Sequence, residues 1–148
     1  MTGKLIYLSS PYTHKDADVR RRRFEIVTHC ASILKRAGCF VFAPIVHAHP
    51  IAVAHGLPLD WEYWKRFDHM MLERSQAMLI TEIEGWQESV GLREERLFAA
   101  ELGLPIGYLP EPENDLLVTH YVRKAGLISM DMTGVAWGDS TTYVERQV

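Results

Sequence analysis

Strand-like and helix-like segments alternate along the first hundred residues, and this alternation leaves few architectures open. "KLIYLSS" (4–10) is a short β-rich run closed by Pro11, which cannot donate to a ladder. From Asp16 to Ala37 the apolar residues Val19, Phe24, Val27, Ala31 and Leu34 recur at helical spacing, and Gly38 reads as the stop. "CFVFAPI" (39–45) is a continuously apolar strand, as expected where both faces are covered. "VHAHPIAVAHGLPLD" (46–60), with two prolines, a glycine and three histidines, reads as a long loop. Asp60 caps a second helix, "WEYWKRFDHMMLERS", whose Trp61, Trp64, Phe67, Met71 and Leu72 form a wide apolar face. "QAMLITEI" is the third strand, "EGWQES" a turn, Ser89 to Leu102 the third long helix, and "LPIGYLP" the fourth strand. Strands and helices spaced in this way imply right-handed βαβ crossovers. The predicted fold is a single-domain α/β three-layer sandwich with an open, mostly parallel sheet of four or five strands, of Rossmann/flavodoxin-like type. Residues 1–110 form its body, and 111–148 form a C-terminal extension that supplies a fifth strand or a subunit contact.

Composition narrows the partners. With 148 residues, 47% apolar and 24% charged, the chain has the make-up of a soluble globular domain with one core. Its formal charge of −3 gives no global attraction to nucleic acid or anionic lipid, so neither a nucleic-acid polymer nor a membrane is an expected partner. The run Arg20 to Arg23 reads as a solvated helix face. Cys30 and Cys39 match neither a redox pair nor a zinc knuckle and are expected to be buried thiols in a reducing compartment. No apolar run has the length of a signal peptide core or a spanning helix, which makes cytoplasmic the expected location.

In an open parallel sheet, ligands bind beyond the C-terminal strand ends. Three polar or aromatic loops qualify there: "SSPYTHKD", "PIVHAHP" and "EGWQESVG". In the third, Ser89 and Gly91 open a helix, where unpaired N–H groups and the dipole favour an anion; Ser89 as a plain N-cap is the simpler account. Glu94 and Glu95 project about 100° apart, so they cannot share a face. Glu95 falls in one stripe with Leu92, Ala99 and Leu102, while Glu94 faces water. A carboxylate on an apolar face calls for a buried partner or a working role.

The pattern Ser-x-Gly-x-x-x-Glu-x-x-x-Ala-x-x-x-Gly, here Ser89, Gly91, Glu95, Ala99 and Gly103, resembles the nucleoside 2-deoxyribosyltransferase-like superfamily, which includes the 2′-deoxynucleoside 5′-phosphate N-hydrolases and CMP hydrolases. "YLSSPY", "HP", "GW" and "SVGLREE" together resemble one bacterial and phage branch of it, the DUF1937 proteins, over roughly residues 4 to 110. The resemblance implies that Glu95 is a nucleophile that attacks the anomeric carbon of a nucleoside, displaces the base and forms a glycosyl-enzyme ester, the chemistry of retaining glycosidases. It further implies that Tyr7 acts with Glu95 at the catalytic centre, and that Tyr12, Ser9 and Ser10 help to orient the carboxylate and sugar. Ser89 and Gly91 meet the 5′ end or its phosphate, and Asp68 and Trp64 face the base. A homo-oligomer is implied as well, for which the extension and its Trp137 and Tyr143 supply contact surface. Where the transferases place an acidic residue after the third strand, this chain has Glu82, Glu84 and Trp86, the last a stacking surface.

Other chemistries are less well supplied. His47, His49 and His55 lack an acidic residue at ligand spacing, so no metal or other cofactor is expected, and His47 and His49 are read as substrate contacts. No Gly-x-Ser-x-Gly elbow and no glycine-rich phosphate loop occurs. The expectation is an N-glycosidase acting on a nucleoside or nucleoside 5′-monophosphate. The alternatives are a base-exchanging deoxyribosyltransferase and a non-catalytic nucleotide-binding sensor.

Overall fold

A computed structural model describes residues 3–111. Four strands, β1 (Leu5–Ser9), β2 (Phe40–Phe42), β3 (Ala77–Glu82) and β4 (Ile106–Pro110), form one all-parallel sheet in the order β2-β1-β3-β4. Four helices connect them: α1 (Ala17–Arg36), α2 (Pro44–His55), α3 (Trp61–Arg74) and α4 (Val90–Glu101). The expected α/β architecture is thus present with four strands. The expected fifth strand, and the contact residues Trp137 and Tyr143, lie outside the described residues.

Because strand side chains alternate between faces, β1 sends Ile6 and Leu8 to one side and Tyr7 and Ser9 to the other. Ile6 and Leu8 join Val27, Cys30 and Leu34 of α1 and Ile45 of α2 in one apolar cluster. Tyr7 joins Leu72 of α3 and Leu92 and Ala99 of α4 in a second cluster across the sheet. The chain therefore forms helix–sheet–helix layers, and each face of β1 and β3 is dry. Cys30 and Cys39 are both buried and free; burial pushes their thiols up to about 12 and about 11, which keeps them protonated and unreactive.

Helix starts follow local chemistry. Asp16, Asp60 and Ser89 each accept a backbone N–H of the first turn of the helix they precede, a contact worth about 1 kcal/mol. Two expectations on helix faces need correction. Leu102 is exposed and caps α4, so the buried stripe there is Leu92, Glu95 and Ala99. Phe67 is also exposed, and Asp68 takes a place beside Leu72 on the buried face of α3.

The largest correction concerns residues 44–55, which form α2 rather than a loop. Pro44 stands at the helix start, where its missing N–H and fixed φ are harmless. Ile45 and Ala52 fall on the buried side, and Gly56, in the left-handed conformation, returns its N–H to the carbonyl of Ala52. Pro50 lies inside the helix and forgoes one backbone bond, a loss that packing against α1 offsets.

Candidate active site

The chain leaves β1 toward β2 on one side and returns to β3 on the other, so the loops after β1 and β3 diverge at the middle of the sheet. That divergence is the place where open α/β sheets bind ligands. Glu95 sits there, at the first turns of α4, with its side chain turned to the sheet and only 6% exposed. The tyrosine hydroxyl of Tyr7 donates to its Oε1 at 3.0 Å, and the hydroxyl of Ser9 donates to its Oε2. The period of two along β1 puts both donors on this face, and the stripe of α4 brings the carboxyl to them. The end of β1 is further tied to β3, where Thr81 Oγ1 donates to the carbonyl of Ser9 at 2.9 Å.

Burial dominates the electrostatics. It pushes Glu95 up to about 8, with the nearby charge of Asp68 adding to the rise and the Ser9 and Tyr7 hydrogen bonds pulling back. Asp68, 3% exposed, is pushed up to about 7 by the same loss of water, and its Oδ1 has no hydrogen-bond partner among the described residues. Tyr7 is raised well above the ordinary phenol range by burial and by the two carboxyls, so it stays a donor. Around neutrality the carboxyl pair keeps protons that exposed carboxylates would have lost. Two carboxyls in such surroundings suit divided labour, one ionised and one protonated.

A cavity of about 500 Å³ opens onto this pair. Ser10, Tyr12, His49, Trp64, Asp68, Ser89, Gly91 and Glu95, all expected at the site, lie in its wall. Tyr7 and Ser9 stand behind Glu95 and act on it. The hydroxyl of Tyr12 meets Nδ1 of His49 across the β1 loop and α2, and burial lowers the pKa of His49, favouring the neutral ring that can accept this bond. Ser10 lines the wall with a buried hydroxyl that has no partner among the described residues. At Gly91 an added Cβ would lie 3.5 Å from the Trp61 ring, an ordinary contact, so packing does not require a glycine there.

Two expected residues stand elsewhere. On a helix, residues two apart point about 200° from each other, not the same way. While His49 meets the cavity, His47 is therefore turned to the carbonyl of Ala43 (2.9 Å) and stacks on Phe42. Trp86 does not line the cavity; it packs on Tyr108 of β4 at a ring distance of 5.8 Å. Among the described residues no group of three His, Cys, Asp or Glu side chains is placed to hold a metal ion.

The reading of Arg20 to Arg23 as a solvated face fails at its last member. Arg23 is 7% exposed and donates to the carbonyls of Tyr12 (3.3 Å) and Thr13 (3.1 Å) from one nitrogen and of Glu84 (3.0 Å) from another. It clamps the β1 loop to the β3 loop, and Gly85 makes room, since a Cβ there would lie 2.4 Å from Arg23 Nη2. The signal was present in the spacing: Arg23 lies four residues after Val19 and four before Val27, on the buried stripe. The Ile45, Ala48 and Ala52 wall of the cavity depends on α2, which the two prolines disguise as a loop.

The profile of one protein family, described as Domain of unknown function (DUF1937), matches residues 4–110. The chain belongs to the DUF1937 family. The match ends with β4, so the DUF1937 region coincides with the sheet and its four helices. No curated protein matches the chain. Among the described residues of this DUF1937 protein, no helix is long and apolar enough to cross a membrane.

Proposed function

We propose that this protein is an N-glycosidase that cleaves the bond between sugar and base in a nucleoside or nucleoside 5′-monophosphate, with Glu95 as nucleophile. The observation that carries the reading is the buried Glu95 carboxyl, held through both oxygens by Tyr7 and Ser9 in the wall of a cavity also lined by Trp64 and Asp68. The resemblance of Ser89, Gly91, Glu95, Ala99 and Gly103 to the nucleoside 2-deoxyribosyltransferase-like pattern supports it.

The roles follow from the surroundings. Ionised Glu95, pinned by two hydroxyls, attacks the anomeric carbon while the bond to the base nitrogen breaks and its electron pair leaves with the base. Burial makes the two carboxyls hold protons near neutrality, and in the form where Glu95 is ionised and the proton rests on Asp68, Asp68 donates the proton that the base needs. Water then attacks the anomeric carbon and gives its proton to the now ionised Asp68, while the ester C–O bond breaks and returns Glu95 as a carboxylate. At the start of α4 Gly91 offers its backbone N–H and Ser89 its hydroxyl to the 5′ end, and Trp64 flanks the base.

The test is release of free base from a panel of nucleosides and 5′-monophosphates, followed by chromatography. Wild-type protein should release base, and Glu95→Gln should lower the rate by at least about a thousandfold, as for other removed nucleophiles. Added free base that becomes incorporated into a new nucleoside would identify transfer in place of hydrolysis. Tight binding of a nucleotide with no base released by the wild type would reduce the protein to a sensor.

A further inference from the structure

Beside the cavity that Glu95 lines lies a second one of about 420 Å³, and the two share Thr13, Glu88 and Ser89 in their walls. The shared residues place the second cavity next to the first, beside the start of α4. The charged and titratable side chains of the second cavity are His14, Arg22 and Arg23 on one side and Glu84 and Glu88 on the other.

Arg23 gives this cavity its character. Its guanidinium is buried, donates only to carbonyls and makes no ion pair among the described residues; its Nε lacks a hydrogen-bond partner there. Proteins seldom bury a charge without a counter-charge, because the loss of water is compensated only by a partner. Glu84 and Glu88 are exposed, so water and salt weaken them; burial lowers the pKa of Arg23, and Glu84 offsets that only in part. Arg22 is held only by an exposed pair with Glu111 at 2.6 Å, a weak contact that a stronger anion can displace. A positive charge that is only partly offset thus lines the second cavity, beside the wall that the two cavities share at Ser89.

Resting on the reading of the Glu95 cavity as a nucleoside site, we propose that the second cavity receives the distal phosphate of a nucleotide carrying at least two phosphates at its 5′ end. Three sources share this chemistry: a nucleoside diphosphate, a triphosphate, and a conjugate joined through pyrophosphate. Two linked phosphates match an arginine pair and a histidine better than one phosphate does, since charge-assisted bonds are the strong ones.

Titration calorimetry on the full chain tests the proposal, with the mono-, di- and triphosphates of four nucleosides, a pyrophosphate-linked dinucleotide, inorganic phosphate and inorganic pyrophosphate as probes. For at least one base the diphosphate should bind about tenfold or more tightly than the monophosphate, as a second charge-assisted contact would produce. In the double variant His14→Gln, Arg22→Gln, which leaves the carbonyl clamp of Arg23 in place, that ratio should fall below about threefold. Gain by the dinucleotide equal to that of the diphosphate identifies a bridging pyrophosphate, and gain by the diphosphate alone identifies a terminal one; both support the inference. A diphosphate that binds no better than its monophosphate, or a preference that the double variant leaves undiminished, overturns it. Base release from monophosphates with no preference for a second phosphate would sink this inference and leave the glycosidase reading standing. A diphosphate preference with no base released from any probe would do the reverse.

Discussion

Replacing Glu95 with glutamine removes a buried ionisable group while keeping its shape, and the effect on folding can be worked out without knowing the substrate. The carboxyl moves from an ordinary 4.5 to about 8 on folding. At about 1.36 kcal/mol per pH unit, this corresponds to a ceiling of roughly 5 kcal/mol lost when the native protein must give up the proton. Asp68 is responsible for part of that rise and titrates over an overlapping range, so the share belonging to Glu95 is about 2–4 kcal/mol. The sign is set by the native state holding the proton more tightly than the unfolded chain. The stabilising contribution is therefore complete below pH about 4.5, falls as pH rises, and is gone above about 8. Glutamine has no such dependence, and its amide can both accept from one hydroxyl and donate to the other. Urea unfolding followed by tryptophan fluorescence at constant ionic strength measures this. Wild type and Glu95→Gln should be close in stability at pH 5, and at pH 8 the variant should be the more stable by about 2–4 kcal/mol. Wild-type stability that stays level or climbs from pH 5 to pH 8, or a variant whose curve runs parallel to the wild type, would refute the buried, partnered carboxyl.

Asp68→Asn should slow base release by removing the proton donor, and the acidic limb of the remaining activity should move to lower pH because the neighbouring charge that raises Glu95 is gone; a limb left in place would mean that the two carboxyls do not interact. Gly85→Ala should cost about 2 kcal/mol or more in unfolding experiments, since φ there is 88° and the new methyl collides with Arg23; unchanged stability would remove the clamp from the account. Gly91→Ala should keep or slightly raise the melting temperature, as alanine favours a helix by about 1 kcal/mol. The same change should weaken nucleotide binding severalfold by covering the backbone N–H groups at the start of α4, and loss of folding instead would show that Gly91 is a packing residue. Cys30 and Cys39 should ignore a thiol reagent in the native protein and react on unfolding, and rapid native labelling would contradict their burial.

Most of the candidate site could be read along the chain, for reasons tied to particular residues. Glu95 is legible because a carboxylate interrupts the stripe Leu92 to Ala99 on a helix opened by a serine cap. Tyr7 and Ser9 enter through the family resemblance, with Ser9 read as part of the loop; the structure puts both on one face of β1, where strand side chains alternate. His47 was misplaced because its direction depends on whether 44–55 is extended or helical, and two prolines argued for the wrong answer. Trp86 was misplaced because stacking on a ligand and packing on Tyr108 call for the same side chain.

What the chain determines unaided is periodicity: where the four strands and helices α1, α3 and α4 fall, most of their apolar positions, and which polar residues break that pattern. These features arise from near-neighbour sterics, capping and the separation of apolar from polar groups, all of which act within a few residues. The tertiary structure alone decided that Arg23 clamps two loops through their carbonyls, that Glu95 and Asp68 share one cavity wall, and that Ser89 lines two cavities. Burial of a charge, the shift of a carboxyl and the shape of a void are sums over segments distant along the chain, and such sums do not exist until those segments pack.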